Sequence, residues 1–430
     1  MINNRTNWAG NYTYRASQIH EPETVEQIQE LVKVSRKLKA LGTRHSFNDI
    51  ADSSGELISL KQFDKIIDLD REHHTVTVEA GVRYGQLARW LHGEGFALHN
   101  LASLPHISVA GACATATHGS GDRHGNLATA VSAMELVTDE GEVTVFSREK
   151  DLEQLQAAVV GLGGLGVVTR LTLEVSPTFD MQQDVYENLP LTELEEHYAA
   201  LTSEIYSVSL FTDWRNSTIN QVWLKRRVLD GTPIKAEAEL LGATLAKNHL
   251  HPIAQISAEN CTEQMGICGP WFERLPHFRM DFTPSSGEEL QSEYFVPRPH
   301  AFTALCAIDR LREHIAPILQ ISEIRTIAAD NLWMSPCYKQ DSAAIHFTWK
   351  QDWESVQRVL PMIEEALEPF HARPHWAKLF TMSSERLRSL YEKMPDFQQL
   401  VRRYDPQGKF HNEYLERYIF GLRGDGQEIH

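Results

Sequence analysis

Residues 103 to 121 read Ser103-Leu104-Pro105-His106-Ile107-Ser108-Val109-Ala110-Gly111 and, past Ala112-Cys113, Ala114-Thr115-Ala116-Thr117-His118-Gly119-Ser120-Gly121. For most of this length apolar residues recur at neither the helical nor the strand period. Gly, Ala, Ser and Thr dominate the stretch 101–125, which also carries His106, His118 and His124. Side chains this small let a backbone pack closely against a ligand, so the stretch reads as a ligand-wrapping segment rather than as an element of its own.

Regular elements lie on both sides of it. The spacing over 23–32 predicts a helix with Thr24 as N-cap, and 38–41 leads into the turn Gly42-Thr43-Arg44-His45-Ser46. Strands are expected at 57–60 and 75–82, then a helix over 84–95 that stops near Gly93 and Gly95. Beyond the ligand-wrapping run, 134–138 and 143–146 form a hairpin around Asp139-Glu140-Gly141, and a strand over 167–175 is closed by Pro177. That proline marks a boundary between residues 1–180 and a second lobe, 181–375, which has longer loops and helices at 304–315 and 353–367. The remainder, 376–430, is helical over 383–401 and ends in a turn and a hydrophobic anchor, Asp405 to Phe410, expected to pack back onto an earlier lobe.

A chain of 430 residues exceeds what one hydrophobic core usually supports, in keeping with two lobes. The formal charge of -17 repels nucleic acid and anionic membrane at long range, so neither is an expected partner. Cysteines at 113, 261, 268, 306 and 337 are odd in number and scattered, which argues against structural disulfides and a zinc site, and no metal is expected. No apolar run is long enough to span a bilayer and the opening residues lack a signal pattern, so a cytoplasmic location is expected.

Several segments carry chemistry-bearing residues, each with a plainer reading beside it. Gly161-Leu162-Gly163-Gly164-Leu165-Gly166 matches G-x-G-x-x-G, but a dinucleotide fingerprint follows a strand and opens a helix, whereas here a β-rich run follows. It reads as a tight turn. In the turn 42–46, Gly42 lets amides face an anion and His45 offers a nucleophilic imidazole; the alternative is a loop histidine satisfied by backbone. Glu323-Ile324-Arg325 puts two charges on one face of a strand, and His346 and Thr348 share a face in the same way. A carboxylate accepts from vicinal hydroxyls while a guanidinium donates, and Lys378 after His375-Trp376-Ala377 brings an ammonium. The plainer readings are a surface ion pair, outward polar residues and a solvated lysine.

Taken together, the 42–48 turn, the Ser103–Gly111 run and Thr117-His118-Gly119-Ser120-Gly121 resemble the FAD-binding domain of the vanillyl-alcohol-oxidase superfamily, and within it the alditol (xylitol) oxidases. The resemblance runs from Asn7-Trp8-Ala9-Gly10-Asn11 to Phe410-His411-Asn412. It implies an α+β, two-lobed flavoprotein: an FAD-binding domain and an antiparallel-sheet substrate (cap) domain, with the C-terminal segment packing back on their interface. It implies FAD bonded covalently through His45, with Gly42, Thr43, Arg44, Ser46, Ser103, Ser108, Gly111, Thr115, Thr117, His118, Val168 and His375 along the cofactor. The polyol is implied to meet Ser103, Glu323, Arg325, Thr348 and Lys378, with Arg325, Lys378 and the neighbouring His346 in the chemistry. Thr43-Arg44 departs from the small Ser-Gly pair of this turn, and Arg44 either clamps a phosphate or faces solvent.

The activity implied is oxidation of a terminal primary alcohol of a linear polyol to an aldose, with dioxygen reduced to hydrogen peroxide. The rival within the superfamily is a gulonolactone-type oxidase or dehydrogenase, which shares the His-Trp-x-Lys ending; the match over 101–121 and 261–294 favours the alditol group. A rival of another class is a flavin-binding sensor without turnover. The oligomeric state is open, with a monomer compatible.

Overall fold

The computed structural model describes residues 5–229, 231–281 and 288–422. The opening residues 1–4, and 282–287 within the matched stretch 261–294, lie outside the described residues. Near the N-terminus, a small parallel sheet orders its strands Gln18–His20, Glu56–Ser59, Leu38–Leu41. The helix Val25–Val34 makes the crossover, and Thr24 caps it by accepting from the Gln27 amide, as its sequence predicts. Ile28 and Val32 on this helix are fully buried and pack with Leu38, Ile58 and Phe410. The C-terminal anchor therefore fills the core of the N-terminal layer. Lys409 fixes it by donating to the carbonyls of Val32 and Asp139.

A second, antiparallel sheet runs Ile66–Asp70, Thr75–Glu79, Val167–Glu174, Val131–Val137, Val143–Ser147. The predicted hairpin and the strand before Pro177 are its last three members. The third sheet belongs to residues 180–374 and is antiparallel in every described pairing. Its main path runs Glu239–Leu240, Ala243–Leu245, Asp180–Pro190, Thr218–Val228, Ser207–Thr212, Leu319–Ile327, Ser342–Lys350, Glu289–Pro297, Arg373–Pro374. At its centre Glu293 pairs with His346, and His346 with Glu323, so three polar residues form one row across three neighbouring strands. Directly paired residues hold their β-carbons about 5 Å apart on one face, which brings two carboxylates and an imidazole together.

Three local readings change. Within 101–125 a short helix, Val109–Ala114, forms where no period is legible; six small residues are too few to show one, and buried Val109, Ala112 and Cys113 hold it by packing. The helix read over 383–401 is two, Ser384–Leu390 and Met394–Tyr404, because Pro395 cannot donate to the preceding turn and sits in the first turn of the second. The helix read over 304–315 likewise divides into Ala301–Asp309 and Arg312–Ile315, with a tight Leu311 amide to Ile308 carbonyl bond between them. No helix among the described residues is long and apolar enough to cross a membrane.

Candidate active site

A cavity of ≈ 760 Å³ runs from the 42–47 turn to the polar row of the large sheet. It is lined by Gly42, Thr43, Arg44, His45 and Ser46, then by Ser108, Gly111, Thr115, Thr117 and Val168. Ser103, His118, Glu323, Arg325, His346, Thr348, His375 and Lys378 line it too, so residues more than 300 positions apart share one space. The 161–166 motif precedes the strand Val167–Glu174 and opens no helix, in keeping with the tight turn expected. Its Gly161 and Gly163 nevertheless line the cavity.

The N-terminal segment pins the histidine turn. Asn7 donates to the Ser46 carbonyl at 2.9 Å, Asn11 to the Phe47 carbonyl at 2.8 Å, and the Trp8 ring stacks on His45 at 5.4 Å. His45 is half-buried, with Nδ1 3.1 Å from Thr43 Oγ1. Burial first, and then the charges of His106 and Arg83, lower its pKa to about 4, so at neutral pH the ring is uncharged and nucleophilic. Arg44 has left-handed backbone (φ 63°) and donates to the Thr6 carbonyl at 3.2 Å.

That turn is also tied to the segment bearing Lys378. The Phe47 amide donates to the Ala377 carbonyl at 2.8 Å, and the Asn48 amide group donates to the carbonyls of Trp376 and Lys378, each at 2.8 Å. Lys378 Nζ donates to Gln291 Oε1 and, at 3.0 Å, to His346 Nε2. Burial lowers the Lys378 pKa to about 8, with Glu293 opposing. His346 is held well below its ordinary value by burial and then by Lys378, hence neutral.

Glu323 and Arg325 are 6% and 7% exposed, which rules out the surface ion pair, and His346 and Thr348 are buried as well. Arg325 donates to Glu293 Oε1 at 3.0 Å, to Ser103 Oγ at 3.3 Å and to the His118 carbonyl at 3.4 Å. Burial alone would raise both carboxyls. Arg325 and His277 outweigh it at Glu323, and His118 and Arg325 at Glu293, so both stay ionised well below the usual range. Buried Arg325 Nε and His346 Nδ1 have no hydrogen-bond partner among the described residues, a donor capacity suited to a ligand rich in oxygen.

Glu293, Gln291 and His277 also line this end and were missed in the sequence. Glu289-Leu290-Gln291-Ser292-Glu293 carries the same alternation that exposed Glu323 and Arg325, so two of the three were legible. His277 sits in an irregular stretch with no period to reveal it. His118, Glu293 and His375 bring potential ligand atoms within 4.8 Å of one another, but Glu293 Oε1 is already engaged by Arg325, whose positive charge opposes a cation there.

The walls of the cavity fit FAD. Gly42 and Gly111 both pack against Ser108, whose Oγ would lie 3.0 Å from a β-carbon on Gly42 and 2.9 Å from one on Gly111. A β-carbon on Gly81, another lining residue, would lie 2.0 Å from the Leu60 carbonyl oxygen. Both Gly42 and Gly111 are exposed, leaving bare backbone in the wall, where amides serve phosphate oxygens.

Comparison with known proteins finds an FAD-binding domain and oxidase relatives. The FAD binding domain family matches residues 16–147, and the D-arabinono-1,4-lactone oxidase family matches residues 286–418. An alditol oxidase from a Streptomyces species is 48% identical, covering 97% of this chain and 99% of its own length. L-Gulonolactone oxidase of Scyliorhinus torazame is 26% identical, and L-gulono-1,4-lactone dehydrogenase of Mycobacterium tuberculosis 27%; each alignment covers 96% of this chain and 98% of the relative. The crystal structure of cholesterol oxidase from B. sterolicum superposes with a TM-score of 0.76, covering 96% of both chains at 14% identity, which shows a shared fold.

Proposed function

The chain belongs to the alditol oxidase family of FAD-binding oxidases, and from that footing we propose that it oxidises the terminal primary alcohol of a linear polyol such as xylitol or sorbitol to the aldose. The observation that carries this reading is the buried row Glu293–His346–Glu323, with Arg325 beside it and Lys378 on His346. FAD, when bound, would supply a two-electron acceptor for the carbinol carbon, with dioxygen as the final acceptor and hydrogen peroxide as the product. Everything else falls to the side chains.

Glu323, ionised, accepts from inner hydroxyls of the polyol, while Ser103 and Thr348 orient the chain by further hydrogen bonds. Lys378 and Arg325 stabilise negative charge as it grows on the reacting oxygen. The Lys378–His346 pair holds one unprotonated position, shared between Nζ and Nε2 at 3.0 Å, and takes up the hydroxyl proton. The carbinol carbon thus loses a hydride and its oxygen a proton, leaving the carbonyl.

His45 is the point of covalent attachment in this reading, supported by its neutral ring and its pinned turn. Gly42 to Ser46, Ser108, Gly111, Thr115, Thr117, His118, Val168 and His375 contact the cofactor. Residues 1–180, with 376–430 packed back on the interface, form the FAD lobe, and 181–375 the substrate lobe. The five free cysteines suit a reducing compartment, so the cytoplasm is the proposed location.

The test is a specificity panel of xylitol, sorbitol, 1-pentanol and gulonolactone with peroxide as readout. The polyols lead, because 1-pentanol brings no inner hydroxyls to Arg325 Nε or to the free oxygen of Glu323, and a lactone offers Glu323 fewer donors. Parity of gulonolactone or 1-pentanol with the best polyol overturns the alditol reading, and absence of peroxide with all four overturns turnover itself.

A further inference from the structure

Behind Glu323 a second buried layer continues away from Arg325. Lys225 lies in the strand Thr218–Val228 with no exposed surface, and its ammonium donates to the carbonyls of Leu275 at 2.6 Å and Pro276 at 3.0 Å. Its third contact is His277 Nδ1 at 3.1 Å, and His277 Nε2 in turn lies 2.7 Å from Glu323 Oε1.

With the His277 ring kept neutral by burial, which lowers its pKa to about 4, the chemistry of these groups leaves one consistent arrangement. An ammonium has three donors and no acceptor, so Nδ1 of His277 carries a lone pair and the ring proton sits on Nε2, where it donates to the carboxylate. The opposite arrangement, a neutral amine accepting from Nδ1–H, turns the Nε2 lone pair toward Glu323, which Arg325 Nε at 3.5 Å keeps ionised; two acceptors would then face each other. The ring cannot swing away. It lies edge to face between Phe211 and Trp223, at 5.5 and 5.2 Å, and the amides of His277 and Phe278 both donate to the Ser103 carbonyl.

We infer that Lys225 and His277 form a buried positioning pair: the ammonium selects the Nε2–H tautomer of His277, which holds Glu323 Oε1 and leaves Oε2 as the acceptor for substrate hydroxyls. Oε2 has no hydrogen-bond partner among the described residues. The inference rests on the reading that Glu323 meets the polyol. It adds that specificity for inner hydroxyls depends on a lysine that touches neither substrate nor cofactor. The lowered pKa of Lys225, about 7 because burial disfavours its charge, agrees with an ammonium retained only through these contacts and the field of Glu323.

The experiment is a double-mutant cycle on the holoenzyme between Lys225→Met and Glu323→Gln, followed by steady-state kinetics with xylitol. Lys225→Met is expected to raise KM about tenfold or more, with a smaller effect on kcat, and to lose most of that effect in the Glu323→Gln background. A KM effect of equal size in both backgrounds, or none in either, overturns the inference. Lys225→Gln, which keeps a donor for the two carbonyls, replaces Lys225→Met if that variant does not fold. NMR of nitrogen-labelled histidine in the wild-type holoenzyme reads the tautomer directly. A neutral Nε2–H ring at His277 supports the inference, whereas an Nδ1–H ring or an imidazolium overturns it. If Glu323→Gln leaves KM unchanged while the NMR result holds, the substrate reading fails and the tautomer assignment stands.

Discussion

Lys378→Met removes one ammonium and little volume, and is the sharpest test of the chemistry. Nζ donates to Gln291 Oε1 and His346 Nε2, and in the proposed reaction it also faces the oxygen that gains charge. Deleting one donor aimed at developing negative charge costs about 10²- to 10³-fold in rate, or about 2.7 to 4 kcal/mol. The loss falls mainly on kcat, because the charge is small in bound substrate and large in the transition state. Removing Lys378 also removes one of the causes that hold the His346 ring below its ordinary value, so His346 titrates higher in the variant. The assay is anaerobic stopped-flow reduction of the flavin by xylitol, read against xylitol concentration and then against pH. If the limiting reduction rate stays within about threefold of wild type, Lys378 is not the donor, and the loss of a solvated lysine describes the result better.

Three further outcomes follow from the same geometry. After acid precipitation the wild-type flavin stays with the polypeptide and fluoresces on a denaturing gel, while His45→Ala releases it; free FAD from wild type refutes the covalent linkage. Asn48→Ala leaves the Lys378 carbonyl without its donor and the Trp376 carbonyl with the Tyr414 hydroxyl alone, costs about 1 kcal/mol or more in stability, and loosens flavin turn and lysine together; unchanged melting and unchanged flavin reduction refute that coupling. Glu293 and Glu323 are held below 4.5 in the folded state, so their contribution to stability is complete above about pH 4.5 and is lost as pH falls below it. Melting temperature should therefore fall more steeply below that pH in wild type than in Glu323→Gln, and parallel curves refute the assignment.

Much of the molecule is set locally and could be read from the chain. Thr24 caps its helix because a hydroxyl facing free amides needs nothing beyond its neighbours. The helix Trp353–Leu367 shows its period because one face must be apolar, and the strands bearing Glu323, Arg325, His346 and Thr348 show theirs because side chains alternate. The small-residue run that lines the cavity was legible as a composition, since only small residues permit such close packing. The short helix inside it and the break at Pro395 were not, because tertiary packing and one missing amide decide them.

The sequence by itself determined the family and singled out Glu323, Arg325, His346, Thr348 and Lys378 among the cavity's polar groups, though not Glu289 or Glu293. Tertiary structure alone decided what those groups do to one another. Strand register puts Glu293, His346 and Glu323 in a single row, and the 2.8 Å bonds from Asn48 join the His45 turn to Lys378 across 330 positions. Burial then decides their charge, a property no local pattern carries. The same glutamate and arginine that would form a weakly interacting pair in water are, in the interior, a fixed anion and cation, because there each can stay ionised only beside its partners.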